Sequence, residues 1–302
     1  MDMKLNNPVF SLELKTRMRT FKAIVGIIIY VGILLFVGSM YYAVSTEGQV
    51  YNGVDTINAN QLLGTTLYTL IALLQFVLIM VITPAQTAGS ISGERERQTL
   101  DLLLCTKMSS LSIVVGKLLS SLAYILLLII SSLPLFSLVF LFGGITPGDI
   151  IALFLFYIVI AMVVGSISIF FSTVFKRTVV ATVVSYVTIF AWYVLTFLIA
   201  IYLVSMRYIT EPFIQQMSVP FILYFNPLFG LGDIMSRQLG TSTQNMFRDM
   251  FGLRMGLSIQ GTNIILSPWV VNIILMCIIT AIMLIISSIR IKPVRTWKKG
   301  NR

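Results

Sequence analysis

The chain has 302 residues, of which 57% are hydrophobic and only 11% charged; mean hydropathy is +0.95, net charge +10, and histidine is absent. That balance excludes an ordinary soluble domain and describes a protein whose solvent is largely lipid. The lack of histidine, of a cysteine pair at metal-ligand spacing and of an aspartate-rich magnesium motif argues against most catalytic and metal-centred classes.

The first 22 residues contain LNNPVFSLELKTRMRTF, in which Leu5, Val9, Leu12, Met18 and Phe21 alternate loosely with Lys15, Arg17, Arg19 and Lys22. Such a segment can lie as an interfacial amphipathic helix, its apolar side in the acyl boundary and its basic side at the headgroups. Crossing a hydrocarbon core about 30 Å thick takes roughly 20 apolar residues in a helix. Six charge-poor runs meet that length: Ala23 to Val44, Gln61 to Ile91, Leu111 to Phe142, Ile150 to Phe175, Val179 to Met206 and Pro268 to Ile289. The polar start and the absence of a small-residue cleavage site predict no signal peptide. The fold class is therefore an all-α polytopic membrane protein. Residues 1–22 form the interfacial helix, 23–206 the first five spans, 207–267 an extracytoplasmic or re-entrant region of short helices, 268–289 the sixth span and 290–302 a basic tail.

Within the second run Pro84 removes a backbone hydrogen bond, which predicts a bend just before the charged stretch. The third and fourth runs are joined by GGITPGD and the fourth and fifth by FKRT, so both pairs read as hairpins. The string PFIQQMSVPFILYFNPLFGLG is not a seventh span, because Pro220, Pro227, Gln215, Gln216 and Asn226 would all need burial in lipid. Lys117 and Asp149 lie near the ends of their runs, and both are expected to snorkel to water. With no ionisable group at mid-depth, an ion-coupled carrier powered from within the membrane is disfavoured.

Six spans place both termini on one side. Four of the 21 basic residues, Arg207, Arg237, Arg248 and Arg254, fall on the other. The positive-inside rule makes both termini cytoplasmic. The net charge is this topology signal together with attraction to anionic headgroups; the basic residues are spread over four segments, so no nucleic-acid partner is expected. Cys105 and Cys277 are predicted to stay unpaired.

The stretch from Gly93 to Met108, GERERQTLDLLLCTKM, concentrates charge on the cytoplasmic side. As one helix it places Glu94 and Glu96 in the first turn, where the helix dipole favours acids, and sets Leu100, Leu103, Leu104 and Lys107 on one face. Close by, VVGKLLSS around Lys117 has a Gly-Lys pair, but Leu111 and Leu118 replace the glycine and hydroxyl that a Walker phosphate loop requires.

ISGERERQTLDLLLCTKMSS, followed by IVVGKLL, resembles the coupling element of type 2 ABC exporter permeases, the membrane subunits driven by a separate ATPase. NPVFSLELKTRMR before the first span is similar to the segment that precedes the first span in that family. Gln98 stands where the family usually has glycine and Lys107 where a proline commonly ends the helix, which predicts a slightly longer helix. The resemblance implies a coupling helix at 92–107 in which Glu94, Arg95, Glu96, Arg97, Thr99, Leu100, Asp101, Leu103 and Leu104 meet the ATPase. It further implies two cytoplasmic ABC ATPase subunits, a second permease, identical or homologous, and a bacterial cell membrane. On this reading the chain has no enzymatic activity and binds no cofactor, ATP and magnesium being held by the partner. The alternative is a non-transporting scaffold or sensor subunit that binds a cytoplasmic partner through the same stretch.

Overall fold

The computed structural model describes residues 21–52, 56–100, 109–142, 145–210, 221–240 and 267–291, and among these it is helical with no strand. Among the described residues nine α-helices follow in chain order: α1 Phe21–Asn52, α2 Thr56–Thr87, α3 Ser92–Glu96, α4 Ser110–Ser131, α5 Leu133–Leu141, α6 Pro147–Val174, α7 Thr178–Thr210, α8 Pro227–Gln238 and α9 Pro268–Ile291. Among the described residues six helical stretches are long and apolar enough to cross a membrane, and each coincides with one of the six runs read from the sequence.

Helix α6 is the axis of the bundle. Its start is set by a capping box, in which Thr146 accepts from the Asp149 amide while Asp149 accepts from the Thr146 amide at 2.9 Å, with Pro147 at the first helical position. From there it buries Leu153, Phe156, Tyr157, Ile160, Val163 and Val164 against α2, α4, α7 and α9. Helices α1, α7 and α9 lie further out and expose rows of Ile, Val, Leu and Phe, as expected where the neighbour is lipid.

One sequence expectation changes here. The third run is not one helix: α4 stops at Ser131 and α5 resumes at Leu133, because Pro134 in the first turn of α5 cannot donate to the preceding turn. Ser132 holds the break, its hydroxyl within bonding distance of the Ile129 carbonyl (2.7 Å) and Gln75 Oε1 (3.1 Å). Helix α2, by contrast, continues through Pro84 and ends at Thr87, with the Thr83 and Thr87 hydroxyls donating back to Ile79 and Thr83 carbonyls.

Of the small residues along the spans, Gly165 and Gly26 sit where helices meet. A methyl group on Gly165 would come 2.8 Å from Leu118 Cδ1, and one on Gly26 would overlap the Tyr124 hydroxyl, whereas Gly32 faces open space. Trp192, Tyr193 and Phe197 fall on α7, with Tyr193 buried edge-on against Phe76 of α2.

The described part of the region after the fifth span, residues 221–240, is a 3-10 turn followed by α8, packed on α6 and α9. A polar network fixes it. Asn226 caps α8 by accepting from the Leu228 amide, and its side-chain amide donates to the Tyr193 carbonyl and Thr196 hydroxyl of α7. From α9, Asn272 donates to the Tyr224 and Asn226 carbonyls at 2.6 and 3.1 Å. Asp233 of α8 accepts from the Trp269 amide in the first turn of α9 and pairs with Arg237. Gln238 accepts from the Tyr68 hydroxyl of α2 and donates to the Asp149 carbonyl of α6. Most of the buried polar side chains of this closure are bonded to backbone atoms or to one another, while Asn272 Oδ1 and the Tyr193 hydroxyl are buried without a bonding partner.

Candidate functional site

At the opposite end from α8, the chain leaves α2 through a turn at Ala88 to Ile91 and forms α3. Ile91 at its N-cap has no hydroxyl to offer, so the first amides need another acceptor. Ser172 of α6 supplies it: its Oγ accepts from the Ile91 amide at 3.0 Å and the Ser92 amide at 2.9 Å. A side chain from one span thus caps the helix that carries the charged stretch.

Three charges of that stretch turn back onto the chain. Glu94 Oε1 lies 2.6 Å from Lys117 Nζ of α4, with Lys117 2% and Glu94 24% exposed. Arg95 Nη1 donates to the Thr173 carbonyl in the last turn of α6 at 3.1 Å, where a helix ends in unpaired carbonyls and a negative dipole. Glu96 takes the reciprocal position at the start of α7, accepting from the Thr178 amide and hydroxyl, each at 2.9 Å. Adjacent residues therefore place a cation on the end of one span and an anion on the beginning of the next, bracing the short connection Phe175 to Arg177.

Lys117 corrects an expectation. It does not snorkel: it lies about two turns inside α4, faces the bundle, and is covered by α3. Asp149 fits the expectation better, serving as a partly exposed cap at the start of α6. The Gly-Lys pair of VVGKLLSS lies in the regular interior of α4.

The single long helix expected from Gly93 onward is also corrected. Helix α3 spans Ser92–Glu96, and Gln98 then adopts a left-handed backbone, φ 58°. The Gln98 amide donates to the Arg95 carbonyl and the Thr99 amide to the Glu94 carbonyl, the paired bonds of a Schellman ending. This position suits glycine, because a side chain there crowds the backbone. Gln98→Gly is expected to raise stability by about 0.5 to 1 kcal/mol, read as a higher melting temperature in detergent micelles. An unchanged or lower value would show that the Gln98 side chain is contributing a contact that outweighs the strain.

Beyond Glu96 the stretch faces outward: Arg97, Gln98 and Thr99 are exposed, and Leu100 turns in to join the core. The structure thus brings Glu94, Arg95 and Glu96 together with Lys117, Ser172, Thr173 and Thr178, none of which the sequence singled out as a partner. Asp101, Leu103, Leu104 and Lys107 lie outside the described residues, as do Lys15, Arg17 and Arg19, Cys105, residues 241–266 and the basic tail from 292; Lys22 falls in the first turn of α1. Cys277 is free and exposed on α9.

A family model described as ABC-2 family transporter protein matches residues 47–289, which include α2 through α8, most of α9 and the whole charged stretch. The chain belongs to this family. It is an ABC-2 transporter permease component, a multi-pass membrane protein whose family implies an ATP-binding partner. A search of curated proteins returns no match. The charged end of the bundle presents a braced helix and an exposed charged turn together.

Proposed function

We propose that this chain is the permease subunit of an ATP-driven exporter, pairing with a second permease, identical or homologous, to enclose a substrate path. Two cytoplasmic ABC ATPase subunits bind ATP and magnesium and carry out hydrolysis; the permease itself performs no chemistry. Both termini and the charged end face the cytoplasm, as expected from the distribution of Lys and Arg, and the membrane is that of a bacterial cell. The residues that couple the two subunits are Glu94, Arg95, Glu96, Arg97, Thr99, Leu100, Asp101, Leu103 and Leu104, while Lys15, Arg17, Arg19 and Lys22 anchor the N-terminal segment at the headgroups.

The observation that carries this reading is the attachment of α3 to α4, α6 and α7 at once. A helix bonded to the interior of one span and to the facing ends of two others can pass a push from below into the bundle without first folding or sliding. Closure of the ATPases would then shift the two permeases between inward-open and outward-open arrangements, each favoured by a different nucleotide state.

The reading is tested by co-expressing the chain with a co-encoded ABC ATPase and purifying through a tag on the permease. A stoichiometric complex is expected with the wild type, and its loss on Leu103→Asp with Leu104→Asp, since two carboxylates would enter an apolar groove. A wild-type chain that retains no ATPase refutes the proposal.

A further inference from the structure

The charged stretch is divided by the direction its side chains take. Glu94, Arg95 and Glu96 are bonded within the chain, to Lys117, to the Thr173 carbonyl and to Thr178. Arg97, Gln98 and Thr99 are exposed at the Schellman turn, the Thr99 hydroxyl donating back to the Glu94 carbonyl, which leaves Arg97 and Gln98 as the outward face. A carboxylate already holding a buried ammonium at 2.6 Å cannot bind a partner's cation without stranding Lys117 in the core. Likewise, Glu96 engages both of its oxygens at the start of α7.

From this division, and resting on the permease reading above, we infer that Glu94, Arg95 and Glu96 are positioning residues that make α3, α4 and the facing ends of α6 and α7 one stiff unit, and that the ATPase is recognised by the exposed turn beginning at Arg97. The partner surface that fits is acidic opposite Arg97, with room for the turn at Gln98. Recognition and transmission then reside in neighbouring but separate residues, so each can be removed while the other is kept.

The two roles separate in one set of variants of the full chain in nanodiscs, measuring affinity for the ABC ATPase and ATP turnover of the assembled complex against the free ATPase. Glu94→Met with Lys117→Met removes the ion pair without leaving a buried charge, so the chain stays folded. Its ATPase affinity is expected within about threefold of wild type, whereas Arg97→Glu should weaken binding about tenfold or more, a rim charge reversed against an acidic surface. Glu96→Ala, at an exposed position, should bind like wild type but lose most of the change in turnover that the permease imposes, an effect that a purely structural role would not produce. The inference is overturned if the double Met variant or Glu96→Ala melts like wild type yet releases the ATPase, or if Arg97→Glu binds normally. If wild type itself captures no ATPase, the permease reading fails, and this inference with it.

Discussion

Replacing Glu94 by alanine should lower the unfolding free energy of the permease by about 3 kcal/mol, the lower end of what is lost when one member of a buried pair is removed. The loss comes from Lys117 more than from Glu94. The Lys117 side chain is 2% exposed and that of Glu94 24%, with Glu94 Oε2 itself buried, so deleting the carboxylate leaves the more deeply buried charge and deleting the lysine the less deeply buried one. Lys117→Met should therefore be milder than Glu94→Ala. The double replacement Glu94→Met with Lys117→Met should recover stability to within about 1 kcal/mol of wild type, because apolar side chains of similar volume avoid the desolvation that both charges incur. Unfolding of the three variants in detergent micelles decides the matter: equal losses for the two single replacements would contradict the asymmetric burial, and a double replacement as unstable as Glu94→Ala would show that the pair contributes more than charge compensation.

At the other end of the bundle, Gly230→Ala is expected to be nearly as damaging, about 2 to 3 kcal/mol. The added methyl would lie 2.6 Å from Asn272 Oδ1, 2.8 Å from Asn272 Cγ and 3.0 Å from Phe156 Cζ. None of these can move aside freely. Asn272 is held by its two bonds to the Tyr224 and Asn226 carbonyls, and Phe156 is fully buried in α6. Asn272→Ala alone should also destabilise, by about 1 to 3 kcal/mol, since it strips both carbonyls of a donor in a dry environment. Combined, the two should lose less than the sum of the singles by about 1 kcal/mol or more, because the second removes the obstacle the first creates. Strict additivity in a thermal or chemical unfolding series would mean that α8 does not approach α9 as closely as the structure has it.

These two sites mark the limits of what could be read in advance. The six spans were legible because a lipid-crossing helix needs an apolar run of fixed length, and such runs survive any detail of packing. The charged stretch was legible for the complementary reason: Glu94, Arg95, Glu96 and Arg97 are conspicuous in a chain with so few charges. Direction was not legible. A sequence gives the depth of Lys117 along its span but not which face of α4 it occupies or that α3 folds over it, and depth alone predicts snorkelling. The end of α3 was half visible, since Gln98 replaces the glycine expected from the resemblance; that the left-handed turn would be kept despite the side chain was not. Pro134, which interrupts the third run, was available in the sequence as a break signal, and the long apolar run masked it. The Asn226 and Asn272 network pairs residues 46 apart, a relation that only the packing of α8 on α9 creates.

The central claim is that a partner's ATP hydrolysis is transmitted through the end of the bundle where α3 joins three spans. The most direct test is the ATP turnover of the ABC ATPase assembled with the permease in nanodiscs, compared with the free ATPase, for wild type and for Glu96→Ala. Turnover altered by the wild-type permease, and returned toward the free rate when the bond from Glu96 to Thr178 is removed from an otherwise assembled complex, is the result predicted. Identical turnover for the free ATPase, the wild-type complex and the Glu96→Ala complex would contradict it.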